Sequence, residues 1–269
     1  MIAAIQEDPF GVDALRQELA QKGDVSALRA TYEPGRYPEP PDISSTELWD
    51  DLASYGEVPA FRIWRLKAVA EQIPTGSHVL DIGVGWGEIV PMILARGNCH
   101  YTGVDFSERI VEQVAKKHPT CRFIVGGLEQ ISETFNVVLA LEVCEHVLPS
   151  KIFGFLQQIS KLLSDHGMLI VTVPVYENLR AMTLRCPGCG HLHNRMGHVR
   201  SYTPELIEAE LSLAGFDVAE SFFVYANFDN SLAGQIKRRI VDIGRLVLRL
   251  GQTKPLNIVV VARKTRHAS

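Results

Sequence analysis

Four groups of residues in this chain have the types and spacing that chemistry requires. The first is His78-Val79-Leu80-Asp81-Ile82-Gly83-Val84-Gly85-Trp86-Gly87-Glu88, an acid followed by glycine at alternate positions. Gly83, Gly85 and Gly87 admit positive φ and let a ligand approach backbone amides with no Cβ in the way. The pattern is Asp-x-Gly-x-Gly-x-Gly, not the G-x-G-x-x-G of dinucleotide binding, and an acid at that point repels a phosphate but attracts a cationic amino-acid group. The second group is Gly103-Val104-Asp105, with the acid 24 residues after Asp81. A carboxylate at a strand tip offers two oxygens that only accept, which suits the two hydroxyls of a ribose. Phe106 follows and is placed to lie against a base. The third group is Glu142-Val143-Cys144-Glu145-His146-Val147, where the imidazole of His146 is half-poised to take a proton at neutral pH; an orienting or packing role stays open. The fourth is Cys186-Pro187-Gly188-Cys189-Gly190-His191-Leu192-His193, with His198 beyond. Two thiolates at that spacing, a glycine for the reversal and nearby histidines suit a structural zinc, held by Cys186, Cys189, His193 and His198 with His191 as substitute. A redox dithiol and two free thiols are the alternatives.

These residues need elements to position them. Val79–Ile82 is a buried strand, and the glycine turn opens a helix from Glu88 to Ala95. Cys99–Asp105 is a second strand, with Ser107 as N-cap of a helix to about His118. Arg122–Gly126 is a third strand and Asn136–Leu141 a fourth, which delivers Glu142 and His146 at its carboxyl end. Ile152–Leu163 is an amphipathic helix, 164–167 a turn, and Met168–Pro174 a fifth strand. Thr203 caps a helix to Leu213, with Pro204 at N1. A sixth strand begins near Phe216, and Leu256–Arg263 closes the sheet. Before all this, Val12–Leu28, Ser44–Ser54 and Pro59–Ile73 have helical patterning, separated by the proline-rich stretch 33–41.

The order and spacing of these motifs resemble those of class I S-adenosylmethionine (SAM)-dependent methyltransferases, and the Leu141–Val147 run is similar to that of ubiquinone-biosynthesis-type small-molecule enzymes. The resemblance runs from about Val79 to Lys264. It implies an α/β, doubly wound, Rossmann-like sheet of seven strands, with the last inserted antiparallel beside the sixth. It also implies SAM as cofactor. Asp81, Gly83, Gly85 and Gly87 would hold the methionine end and Asp105 the ribose. Phe106 and Leu128 would border the adenine, and Glu142 and His146 the reacting centre. Related enzymes often place an acid after the third strand where this chain has Gly127, so the adenine contact would fall to backbone near Leu128. Residues 1–77 form a helical extension and 78–269 the SAM-binding domain, with inserts at 175–202 and 228–255.

The acceptor is expected to be a small molecule methylated at oxygen, of secondary-metabolite or glycan type. The chain lacks the Asn-Pro-Pro-aromatic run that accompanies methylation of nucleobase or glutamine amines. A nicotinamide-dependent oxidoreductase and a non-catalytic SAM- or zinc-binding module are the rival readings. A net charge of −4 offers no overall attraction for nucleic acid. The 235–250 segment, QIKRRIVDIGRLVLRL, is a basic amphipathic helix at helical spacing. Such a helix more often faces a core or a second copy than a membrane, and peripheral membrane or lipid-linked substrate contact is the sharper alternative. No apolar run is long enough to span a bilayer, and five cysteines with only two close together fit a reducing, cytoplasmic setting.

Overall fold

The computed structural model describes residues 60–185, 187–188, 190, 192–225, 232–247 and 255–265, the side chains of 60–61 and 242–247 excepted. The helices expected at Val12–Leu28 and Ser44–Ser54, the proline-rich stretch, and Cys186, Cys189 and His191 lie outside those residues.

In chain order the elements are α1 (Ala60–Gln72), β1 (His78–Ile82), α2 (Val90–Leu94), β2 (His100–Asp105), α3 (Glu108–Lys117), β3 (Arg122–Val125) and β4 (Phe135–Leu141). They continue with α4 (Ile152–Leu162), β5 (Leu163–Pro174), β6 (Thr183–Arg185), β7 (Leu192–Asn194), α5 (Pro204–Leu213), β8 (Phe216–Val224), α6 (Leu232–Val247) and β9 (Asn257–Lys264). Seven strands form one sheet in the order β3-β2-β1-β4-β5-β9-β8, and β6 and β7 form a separate hairpin. β1 to β5 pair in parallel, while β9 is antiparallel to both β5 and β8.

The central strands are near-continuous runs of Val, Ile and Leu because helices cover both faces of the sheet. Alternate residues go to opposite layers. Val138, Ala140, Leu169 and Val171 join a core with Ile152, Leu156 and Ile159 of α4 and Leu206, Ile207 and Leu211 of α5. Val137, Leu139, Met168 and Ile170 join the other, with Leu66 and Val69 of α1, Ile73 just after it, and Val90 and Ile93 of α2. Two expected caps are present: the Ser107 hydroxyl accepts from the Ile110 amide and the Thr203 hydroxyl from the Leu206 amide.

One local expectation needs correction. The turn read at 164–167 is absorbed into β5, whose pairing with β4 jumps from Phe135↔Leu163 to Val137↔Met168, so these residues protrude from the ladder rather than end it. The 235–250 segment is expected to face a core or a second copy; Leu232, Ile236 and Ile240 of α6 are 75, 50 and 63 % exposed, so in the single chain these side chains do not enter the core. The strand order reverses between β1 and β4, and in such sheets the ligand crevice opens at the carboxyl ends there.

Candidate active site

β1 ends in the turn that carries the first motif. Gly83, Gly85 and Gly87 all take positive φ, at 72, 53 and 71°. Their surroundings differ. A Cβ on Gly87 would meet Val114 of α3 at 2.6 Å and one on Gly83 would meet Val143 at 3.1 Å, whereas a Cβ on Gly85 would meet nothing within 4 Å. Gly83 and Gly87 are therefore needed for conformation and packing together, and Gly85 borders open space.

Asp81 lies beneath this turn, buried between β2 and β4. The Tyr101 hydroxyl donates to its Oδ2 at 2.6 Å. Its Oδ1 is buried with no hydrogen-bond partner among the described residues. Burial pushes the Asp81 carboxyl up to about 7; the Tyr101 bond opposes this, and the charges of Asp105 and Glu88 add to it. A buried carboxyl with one oxygen unmatched is costly unless something polar or cationic meets it.

Asp105 ends β2 across from the turn. Its Oδ2 accepts from the Gly85 amide at 3.3 Å and its Oδ1 from the Ser107 amide at 3.0 Å. Both oxygens are thus fixed in direction by backbone and keep lone pairs for hydroxyl donors. Phe106 is 56 % exposed beside it. After β3, Leu128 opens a short 3₁₀ turn, and its side chain is buried in the core. At Gly127 the structure supplies an acid from two residues further on. The Glu129 carboxylate folds back over Gly127, accepts from its amide at 3.2 Å and fills the space a Cβ would need.

The loop after β4 is built otherwise. Glu142 holds φ 58°, a strained value for a non-glycine residue. Three partners hold its carboxylate there: Thr172 Oγ1 and Asn257 Nδ2 donate to it at 2.8 and 2.7 Å, and Arg65 Nη1 lies 2.7 Å away. Arg65 is buried and comes from α1, which also brings Arg62 within 3.7 Å of Glu88. The N-terminal helix thus both covers the sheet and reaches the two acidic rims of the crevice.

Cys144–His146 form a 3₁₀ turn. Glu145 is fully buried, and neither of its oxygens has a hydrogen-bond partner among the described residues. Burial, then the neighbouring charge of Glu142, pushes its carboxyl well above the ordinary range. His146 Nδ1 lies 3.1 Å from the Gly197 carbonyl, which can only accept, so Nδ1 carries the proton and Nε2 is the acceptor nitrogen. Burial and the adjacent His198 push the imidazole down to about 3, so the ring is neutral at pH 7.

The 175–202 insert closes over this turn. His198 stands edge-on to His146 with ring centres 4.9 Å apart, and its Nδ1 meets Glu177 Oε2 at 2.8 Å. Glu145, His146 and His198 bring ligand-type atoms within 4.8 Å of one another, a spacing that a cation could share. Beneath them Arg200 and Glu210 form a fully buried ion pair, and the Tyr202 hydroxyl bridges Glu210 Oε2 at 3.1 Å and the Cys144 carbonyl at 3.4 Å.

Among the expected site residues, Asp81, Gly85 and Asp105 come together at the switch point, with Glu142 and His146 on the facing loop. The expected metal set is divided in its described part: His193 sits on β7 of the hairpin, whereas His198 belongs beside His146. Cys186 and Cys189 lie outside the described residues.

A family model described as a methyltransferase domain matches residues 79–167, the segment that holds both carboxylates, the glycine turn and His146. Residues 79–167 thus match a methyltransferase domain, and the seven-stranded sheet around them has the class I methyltransferase fold. Its curated relatives include a ubiquinone biosynthesis O-methyltransferase of Azorhizobium caulinodans, 30 % identical over 158 residues that make up 54 % of this chain and 60 % of that protein. The chain spans 60 % or less of the length of the first curated relatives it matches. Among solved structures, the methyltransferase fold is shared with the Burkholderia thailandensis 1,6-didemethyltoxoflavin-N1-methyltransferase, solved with 1,6-didemethyltoxoflavin and S-adenosylhomocysteine. That match has 19 % identity and a TM-score of 0.54, covering 98 % of this chain and 94 % of the other. The [4+2]-cyclase SpnF shares the fold as well, at 17 % identity and a TM-score of 0.54, covering 82 and 93 %.

Proposed function

We propose that this methyltransferase domain binds SAM and transfers its methyl group to the oxygen of a small hydroxyl-bearing acceptor, of secondary-metabolite or glycan type. The observation that carries the reading is the buried, unmatched Oδ1 of Asp81 beneath the open face of Gly85, with the Asp105 carboxylate oriented opposite. These groups fit SAM. Ionised Asp81 would take the α-ammonium, Asp105 the ribose hydroxyls, Glu129 the adenine amino group, and the face of Phe106 the base. When bound, SAM supplies an activated methyl group on a sulfonium. The protein's work is then alignment and exclusion of water. His146, neutral and with Nε2 as acceptor, receives the hydrogen bond of the acceptor hydroxyl and orients its oxygen; a ring held down to about 3 is too weak a base to take the proton outright, and the Gly197 carbonyl fixes its tautomer. The O-methyltransferase relative supports oxygen as the acceptor atom.

In the same proposal, Cys186 and Cys189 bind a structural zinc with His193 and His191, because His198 is engaged by Glu177 beside His146. Elemental analysis of purified protein checks this, and less than one zinc per chain would remove it.

The reading is tested by incubating the full chain with SAM and a set of phenolic and sugar hydroxyl acceptors, following S-adenosylhomocysteine and the methylated product by mass spectrometry. Acceptor-dependent turnover that falls in His146→Ala supports it. A second reading is a domain that binds the cofactor without transferring a methyl group; the fold shared with a [4+2]-cyclase supports it, since one fold hosts several chemistries. Tight cofactor binding with no turnover on any acceptor would favour it.

A further inference from the structure

Helix α6 is attached to the domain by the side that the sequence marks as polar. Among the described side chains of α6 the buried position is Gly234. One turn on, the guanidinium of Arg238 lies 4.3 Å over the ring of Tyr225 and donates to its hydroxyl at 2.9 Å. Gly234 and Arg238 form the inward stripe. At about 100° per residue, the stripe Leu232, Ile236 and Ile240 lies nearly opposite and points away from the body. The three side chains are 75, 50 and 63 % exposed. Contiguous aliphatic exposure of this kind marks a contact surface.

Charge identifies the contact. Lys237 and Arg239 are both exposed and bracket the aliphatic stripe on its two sides. No acid lies between Leu232 and Val241. An apolar stripe with basic flanks fits the boundary between acyl chains and anionic headgroups, where aliphatic groups enter the membrane and lysine and arginine meet phosphate. Among the described residues no helix is long and apolar enough to cross a membrane, which limits this one to lying on the surface.

Topology supplies a second, independent observation. α6 connects Val224 to Asn257, and Asn257 pairs with both Val224 and Pro174. The helix therefore leaves the sheet at the edge where β5 ends and where the 175–202 insert begins. That insert exposes Leu184, Leu192 and Met196 at 50, 43 and 50 %. Two apolar projections share the rim that carries Glu142 and His146.

We propose that α6 is a docking element for an anionic bilayer surface, inserting Leu232, Ile236 and Ile240 while Lys237 and Arg239 meet lipid phosphates. The test is flotation of the full chain with vesicles of phosphatidylcholine alone and of phosphatidylcholine mixed with phosphatidylglycerol. The protein is expected to float with the mixed vesicles and to be released by raised salt. Lys237→Glu with Arg239→Glu lowers that binding by about tenfold or more, and Ile236→Glu with Ile240→Glu abolishes it. Thermal melting shows that the variants remain folded, and the salt series on the unaltered protein tests the proposal without any variant. Absence of flotation with the anionic vesicles would overturn it. So would a dimer in sedimentation analysis that Ile236→Glu with Ile240→Glu dissociates, which would assign the face to a second copy of the chain. Vesicle binding is read without cofactor or acceptor, so it stands or falls separately from methyl transfer.

Discussion

The two sides of the crevice are held by different means. On the side of β1, β2 and β3, the groups lie in short turns and backbone does the positioning. Three glycines at positive φ shape the loop, and the Gly85 and Ser107 amides aim the Asp105 carboxylate. On the side of β4 and β5, side chains distant in sequence do the work. Glu142 is tied to Asn257 across 115 positions and to Arg65 of α1, while His146 is fixed by a carbonyl 51 positions away. A turn made by local backbone keeps its shape when one ligand-facing side chain is removed. A loop made by a buried polar network depends on every member of that network.

The contrast can be broken most severely at the Arg200–Glu210 pair, which is fully buried under the second loop. Glu210→Ala leaves a guanidinium uncompensated and is expected to cost about 3–5 kcal/mol of stability in urea unfolding; replacing both residues by apolar ones of similar size recovers most of the loss. On the other side, Asp105→Ala is expected to weaken S-adenosylhomocysteine binding by about 2–3 kcal/mol in calorimetry, with little change in unfolding midpoint. Equal losses of stability in the two variants would erase the distinction.

A subtler difference is in pH. Folded Asp81 keeps its proton up to about pH 7, while the unfolded carboxyl releases it near 3.8. Between those values the folded state binds more protons, so this group's contribution to stability falls as pH rises. Cofactor affinity has the opposite slope, since only the ionised form attracts an ammonium group; below pH 7 it drops by roughly tenfold per unit. Asp81→Asn flattens both trends, measured by titration across pH 6–8 and by melting. His146 adds no inflection near 6.5 to the pH dependence of kcat/KM, because its neutral form persists down to about 3. The smallest effect is expected at Glu129, where Glu129→Gln weakens cofactor binding by about 1 kcal/mol, an exposed carboxylate being exchanged for an amide that still accepts one hydrogen bond.

The same contrast explains what could be read before any coordinates. Asp81, the glycines and Asp105 form a pattern whose spacing is itself the geometry, and the seven-strand order follows from runs such as Val137–Ala140 and Ile258–Ala262 buried on both faces. Arg65, Thr172, Asn257 and Glu210 carry no local signal, since each matters only through a partner brought near by folding. Glu129 is hidden for a different reason: the family pattern has its acid at position 127, and a glycine there lets the acid two residues on occupy the same space. For α6 the amphipathic pattern was legible, but periodicity cannot tell which face turns inward; Gly234 and the Arg238–Tyr225 stack decide that.

The most direct test of the cofactor site is a calorimetric titration of the full chain with S-adenosylhomocysteine above pH 7, run beside Asp105→Ala and beside NAD. Micromolar binding by the unaltered chain, lost in the variant and absent for NAD, is the result expected. No binding by the unaltered chain, or equal binding by the variant, would contradict the assignment of Asp81, the glycine turn and Asp105 as a SAM pocket.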